Sequence, residues 1–324
     1  MTPSGAAPQA RRAPDLIGTA APEIGVGMPV YNGEPYLTGA LASILGQRDA
    51  DFELVIADNC STDATEEICR EAARNDPRVR YLRRERNVGV IANYNRIVHE
   101  TRGEFFSFAT ADDEYRADRL ALLSAALRDH PAASVAFSAS EEIDEAGRRL
   151  GLWRSSAPTG ASRPSHRLRA KLRDYDECLH LYGLIRRSAI ARALPLAPVL
   201  AGDRVMIAEL VLIGPFVLVD EPLLRHRNHP ASDSQRYDVR AWRRREVPDE
   251  DHRFFLPNVE EGRALMRAVR NAPLTRGERL ACYAAMWPWL RRNAVPMARN
   301  VAHVGIDLAR GLRRRPAPDE TVRS

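Results

Sequence analysis

Two aspartates, Asp112 and Asp113, stand side by side where an apolar run ends, in FFSFATADDEYRAD (residues 105–118), with Glu114 behind them. Adjacent carboxylates repel, so a cation or a structural duty must compensate them. One reading is a divalent metal site, since hard cations choose oxygen ligands. The other is a helix start: Asp is a good N-cap, and acidic residues suit the first turn of a helix over RADRLALLSAALRDH. Two other apolar runs end in polar residues of useful types. IGVGMPVY ends at Tyr31 and Asn32, and FELVIADN ends at Asp58 and Asn59.

The elements around these residues decide whether they meet. Between Ile24 and about Leu150, short β-rich runs alternate with amphipathic stretches: IGVGMPVY, FELVIADN, VRYLRRE and EFFSFATADD read as strands, and PYLTGALASILGQ, TDATEEICREAARND and GVIANYNRIVHETR as helices. This alternation predicts βαβ units and a mainly parallel central sheet flanked by helices. Ligands of such sheets sit beyond the carboxyl ends of the strands, so the three polar ends converge on one crevice if their strands are parallel neighbours. Farther on, ASVAFSASEEIDEAGRRL reads as a strand and turn, and a Ser-, Pro- and Arg-rich stretch to about Arg169 has no period. CLHLYGLIRRSAIARALPL reads as a strand running into a helix. GDRVMIAELVLIGPFVLVDEPLLRHRNHP reads as a helix, a turn and a strand, residues 231–250 as a loop, and the chain from Val259 onward as helical.

The totals narrow the classes. A chain of 324 residues with 44% hydrophobic and 28% charged residues can bury a large core without disulfides. Its four cysteines, Cys60, Cys69, Cys178 and Cys282, match no zinc or CxxC spacing and are expected as reduced thiols. No run approaches the roughly 18 apolar residues of a membrane span. Residues 1–22 lack the apolar core of a signal peptide and are expected to be a disordered leader of a cytoplasmic protein. The net charge of +5 rests on arginine, Lys171 being the single lysine. Coding bias gives the same excess, and no nucleic-acid partner is expected.

Taken in order, MPVYNGEPYL, VIADNCSTDATEEI, RNVGVIANYN and ATADDEYRADRL resemble the nucleotide-sugar-dependent glycosyltransferase family 2, whose members have the GT-A fold. The resemblance implies a GT-A domain over residues 23–235, followed by a C-terminal helical extension over 236–324. It implies that Pro29, Tyr31, Asn32 and Glu34 belong to the first nucleotide-contacting segment, and that Asp58 accepts a hydrogen bond from the base. Asn59, Ser61 and Thr62 make the turn that follows, and Asp63 caps the next helix. Asn87 and Gly89 shape a loop near the diphosphate or ribose, with Asn93 or Asn95 supporting it from the helix.

The family's DxD segment is ATADD here, with Thr110 where the first Asp often stands. Asp112 is therefore the expected metal ligand and contact to the donor, Asp113 a second ligand or a support, and the ion Mn²⁺ or Mg²⁺. AGDRVMIAEL resembles the segment carrying the catalytic base of inverting members, which makes Asp203 the expected base against an N-cap alternative, with Glu209 as fallback. In HRNHPASDS, His229 is the expected metal neighbour, and His226, one strand pitch back, faces either the same way or inward. Gly183 lets backbone approach donor or acceptor closely, and Arg186 and Arg187 face phosphate; the plain alternative is a packed strand.

The reaction implied is metal-assisted sugar transfer, with inversion, from a nucleotide-diphosphate sugar to a hydroxyl on a glycan, a lipid-linked sugar or a small molecule. Two readings remain beside it: a noncatalytic protein that binds a sugar nucleotide or a partner, kept open by Thr110, and a nucleotidyltransferase, for which no Gly-rich triphosphate loop is evident. The basic C-terminal helices, with Trp287 and Trp289 nearby, are candidates for peripheral membrane contact.

Overall fold

A computed structural model describes residues 21–157, 159–173, 178–230 and 256–313, with side chains as far as 302. The expected leader and the expected loop over 231–250 lie outside the described residues, apart from positions 21 and 22.

One nine-stranded sheet organises the chain. Strands β1 (Ile24–Val30), β2 (Phe52–Asp58), β3 (Val79–Arg83) and β4 (Phe105–Phe108) are parallel, in the spatial order β3-β2-β1-β4. Every residue of β2 is buried, the continuous burial expected of a parallel strand covered on both faces. Helices α1 (Glu34–Leu45) and α2 (Thr65–Asn75) follow β1 and β2, and α3 (Val90–Glu100) joins β3 to β4. Pro29 costs no ladder bond toward β4, because that pairing ends at Gly27.

The expectation of a mainly parallel sheet holds for this half only. Beyond β4 come β5 (Glu114–Tyr115), α4 (Arg119–Asp129), β6 (Val135–Ile143) and β7 (Arg149–Trp153). They are followed by α5 (Pro164–Arg173), β8 (Leu184–Arg186), α6 (Arg187–Ala193), α7 (Gly202–Ile213) and β9 (Phe216–Arg227). Here β6 pairs parallel with β9, whereas β4–β8, β5–β9, β6–β7 and β6–β8 are antiparallel. The sheet is therefore mixed. The stretch expected to be irregular as far as Arg169 holds β7 and α5. Its period is hidden because Arg167 and Lys171 are buried beside Leu168 and Leu172, so the inward face does not read as apolar.

The core has three parts. One face of the sheet packs with Leu37, Ile44, Leu120 and Leu123 of α1 and α4. The other packs with Ile97, Ile190, Met206 and Leu210 of α3, α6 and α7. A third cluster joins α5 and α7 to the C-terminal helices α8 (Pro257–Asn271), α9 (Arg276–Ala285) and α10 (Trp287–Arg313), with the fully buried Trp289 in it. A capping box starts α9: Thr275 Oγ1 accepts from Glu278 N at 3.3 Å, and Glu278 Oε2 accepts from Thr275 N at 2.9 Å. All four cysteines are unpaired.

Candidate active site

The ends of β1 and β2 sit level, Val30 opposite Asp58, and the loops beyond them are stitched together. Asn32 holds a positive φ of 52°, donates from its backbone to Ser61 Oγ at 3.0 Å, and accepts from Thr62 N at Oδ1 at 2.9 Å. Glu34 N donates to Asp63 Oδ2 at 3.1 Å, while Ala64 N donates to Glu34 Oε2 at 3.1 Å. Asn32 and Glu34 therefore fix the crevice rim, and Asp63 braces two helix starts at once, since it also accepts from Thr65 N at 3.1 Å. Tyr31 stands clear of this lattice with 46% of its surface exposed, open for a flat ring to lie on.

Asp58 is fully buried and its carboxylate is saturated from within. Oδ1 accepts from Ser61 N at 2.8 Å and Ser61 Oγ at 2.6 Å; Oδ2 accepts from Tyr81 hydroxyl at 2.6 Å and Arg83 Nη1 at 2.9 Å. Four donors fill the capacity of a carboxylate, so a base could reach it only by displacing one. Tyr81 and Arg83 are partners that pattern reading missed. Their signal was register, since both sit on β3 beside the end of β2. Asn59 is more than a turn former. Its Oδ1 accepts from Val88 N at 3.0 Å, and its Nδ2 donates to Asn87 Oδ1 at 2.9 Å and Gly89 O at 3.1 Å, which anchors the 87–89 loop. Gly89, at φ 86°, turns that loop into α3. Asn93 is buried and donates to Ala57 O at 2.7 Å, a brace behind the crevice. Asn95 Oδ1 instead accepts from Leu196 N at 2.7 Å, away from that loop.

The pair Asp112 and Asp113 does not start a helix. It precedes β5, and α4 begins at Arg119 after Asp118. Pairing of β5 with β9 brings the two histidines in. Asp113 is fully buried; its Oδ1 accepts from Arg227 N at 2.9 Å and lies 3.1 Å from His226 Nδ1, while its Oδ2 is buried with no partner. Asp112 Oδ2 lies 3.0 Å from His229 Nε2, whose ring packs 4.8 Å from that of Tyr36. Burial, and then the charge of Asp113, push the Asp112 carboxyl above the usual range. An orphaned buried oxygen next to a carboxylate held above its ordinary pKa is chemistry that a hard cation would satisfy. Among the described residues no three His, Cys, Asp or Glu side chains converge as a ready metal cage. The fit is thus to an ion that takes only part of its shell from the protein. Thr110, in place of a first aspartate, donates from its backbone to Tyr115 hydroxyl at 2.7 Å, and its Oγ1 lies 3.2 Å from the same hydroxyl.

Asp203 is exposed in the first turn of α7, with Oδ1 accepting from Arg204 N at 2.8 Å. Burial, then the charges of Tyr94, Asp113, Asp112 and Asp203, push the Tyr182 phenol well above its ordinary value. Glu209 faces elsewhere. Burial raises its carboxyl to about 8, against the charge of Arg267 of α8. Gly183 serves packing, since a Cβ there would lie 2.5 Å from Ala136 O. Arg186 and Arg187 are at the opposite end of the sheet: Arg186 pairs with Glu104 at 3.1 Å and Arg187 donates to Gly103 O at 3.1 Å. Their expected phosphate contact is corrected to a structural one, because β8 runs antiparallel to β4 and carries them toward its start.

Comparison with known proteins adds to this geometry. The family model described as Glycosyl transferase family 2 matches residues 25–192. The chain is 30% identical over 99 residues to the putative teichuronic acid biosynthesis glycosyltransferase TuaG of Bacillus subtilis, covering 31% of this chain and 39% of that protein. The chain spans less than half the length of the curated relatives it matches first. Two solved structures share the fold. Staphylococcus aureus TarS 1–349 in complex with UDP-GlcNAc has a TM-score of 0.62 at 20% identity, over 84% of this chain and 72% of that one. Mannosyltransferase PcManGT from Pyrobaculum calidifontis, in complex with GDP-Man and Mn²⁺, has a TM-score of 0.51 at 18% identity, over 93% and 78%.

Proposed function

Because the chain belongs to glycosyl transferase family 2, we propose that it moves a sugar from a nucleotide-diphosphate sugar to an acceptor hydroxyl, with inversion at the anomeric carbon. The observation that carries this reading is the Asp112–Asp113 pair beyond the parallel strands, with the orphaned Asp113 Oδ2. The donors bound in the two solved relatives support the substrate class. Tyr31 offers a ring for the base to lie against. Asn32, Glu34, Asn87 and Gly89 form the rim along the ribose and diphosphate, and Asp58 and Asn93 hold that rim from behind. Mn²⁺ or Mg²⁺ held by Asp112 and Asp113, with His229 beside them, would supply positive charge toward the diphosphate. Asp203 takes the proton of the acceptor hydroxyl as its oxygen attacks the anomeric carbon and the bond from that carbon to the diphosphate breaks on the opposite face. The acceptor is a hydroxyl on a glycan, a lipid-linked sugar or a small molecule.

Calorimetric binding of UDP, GDP and dTDP, with and without Mn²⁺ or Mg²⁺, tests the reading on the wild type and on Asp112→Ala. One nucleotide should bind in a metal-dependent way and lose that dependence in the variant. Binding of none of them by a folded protein would sink it. Thr110 at the DxD position favours a second reading, a noncatalytic sugar-nucleotide binder, which metal-dependent binding without hydrolysis or transfer would select.

A further inference from the structure

The C-terminal helices leave an apolar strip uncovered. Leu280 is 70% exposed, Trp287 66%, Val295 59% and Val301 57%, and Ala284 and Ala298 between them are exposed as well. These positions recur every three to four residues or their multiples, so they share one side of a helix. The joint between α9 and α10 keeps the phase, because Met286 stays in right-handed helical backbone at φ −75°, ψ −14°. The opposite side, with Cys282, Ala285, Trp289 and Asn293, is buried against the body of the protein. From Leu280 to Val301 the strip runs about 30 Å. Isolated exposed apolar residues are ordinary, but an aligned series of this length marks an interaction surface.

Charge decides which partner fits. Residues 256–302 contain eight arginines against three glutamates and no aspartate or lysine. The glutamates have partners of their own: Glu260 accepts from Leu256 N at 3.3 Å, Glu261 is buried near Arg204, and the exposed Glu278 closes the capping box on the side of α9 away from Leu280. Exposed Arg276, Arg291 and Arg299 lie along or beside the strip. A face that carries a tryptophan and intersperses apolar side chains with the cations Arg276 and Arg291 matches an anionic lipid surface. A second copy of the chain would instead set two arginine-edged faces against each other. No helix among the described residues is long and apolar enough to cross a membrane, so the contact lies along the surface. We propose that α9 and α10 dock this protein in plane on an anionic bilayer through Leu280, Trp287, Val295 and Val301. The inference is independent of the sugar-transfer reading.

Flotation of the full chain with phosphatidylcholine vesicles, and with phosphatidylcholine vesicles containing phosphatidylglycerol, tests it. The expected result is preferential binding to the anionic vesicles, weakened by salt. Arg291→Glu should lower it about fivefold or more, and the double variant Trp287→Ser, Val295→Ser should abolish it with an unchanged unfolding midpoint. Equal binding by these variants, or no flotation of the wild type, overturns the proposal. So does a wild-type dimer in sedimentation that Trp287→Ser converts to a monomer, since the strip would then belong to a second copy.

Discussion

Asp58 and Asp113 are both fully buried carboxylates at one end of the same sheet, yet their surroundings are opposites. Asp58 is complete: four donors, one of them the cation Arg83, fill its oxygens. Asp113 is incomplete, with one oxygen orphaned and a second carboxylate, Asp112, next to it. A buried polar oxygen that lacks a partner is costly, and Asp113 Oδ2 is one although Oδ1 has Arg227 N and His226 beside it. The first aspartate is finished by its own chain, whereas the second is, on the proposed reading, the part a ligand would finish.

The largest expected effect concerns Asp203, an exposed carboxylate that belongs to neither kind and that the proposed reaction makes the proton acceptor. Asp203→Asn should lower turnover about 10²–10⁴-fold if it is the proton acceptor, while donor binding and the unfolding midpoint stay put because the side chain is exposed. Retained turnover would remove it from the chemistry. Next comes Asp58→Asn, which strips the partner from Arg83 and breaks a buried network. Urea unfolding should show a loss of about 3 kcal/mol. A variant of unchanged stability would mean the two aspartates differ less than their geometry says.

How much of this was readable beforehand follows from the same physics. The parallel half of the sheet was legible because buried strands read as continuous apolar runs, and Asp58, Asp112 and Asp113 because each sits where such a run stops. The antiparallel half was not, since β8 has three residues and β5 two, too few to carry a period. Helix α5 was hidden by its buried Arg167 and Lys171. The saturation of Asp58 was invisible because Tyr81 and Arg83 are 23 and 25 residues away and meet it only through register. Arg186 and Arg187 misled for a related reason, since residue type says nothing about which end of a strand faces the crevice.

Glu209 separates burial from the site. It too is an acid in poor company, but it looks toward α8 and shares nothing with the crevice. Its folded carboxyl holds a proton up to about 8, whereas the unfolded chain releases it near the ordinary value. Between those limits the folded state binds more protons, so stability falls as pH rises. Glu209→Gln should therefore raise stability at pH 8 by on the order of 2 kcal/mol and change it little at pH 4. Loss of transfer activity on top of that would argue against a purely structural Glu209.

The smallest expected effect bears on the comparison most directly. The Asp112 carboxyl is raised by burial and by Asp113, so in the metal-free protein its charge is a burden above the ordinary carboxylate pKa and is relieved on protonation. Asp112→Asn should then stabilise the metal-free protein at neutral pH by up to about 1 kcal/mol, the opposite sign to Asp58→Asn. With Mn²⁺ and nucleotide present the order should reverse if Asp112 holds the metal as proposed, because the wild type would gain binding energy that the variant lacks. If Asp112 holds the metal as proposed, metal-dependent nucleotide affinity should fade on acidification earlier than an ordinary carboxylate would allow. Thermal melts of both variants, with and without metal and nucleotide, read all of these signs. If both aspartate variants lose stability equally in the metal-free protein, Asp112 is scaffold like Asp58, and the unfinished half of the site must be sought in Asp113 alone.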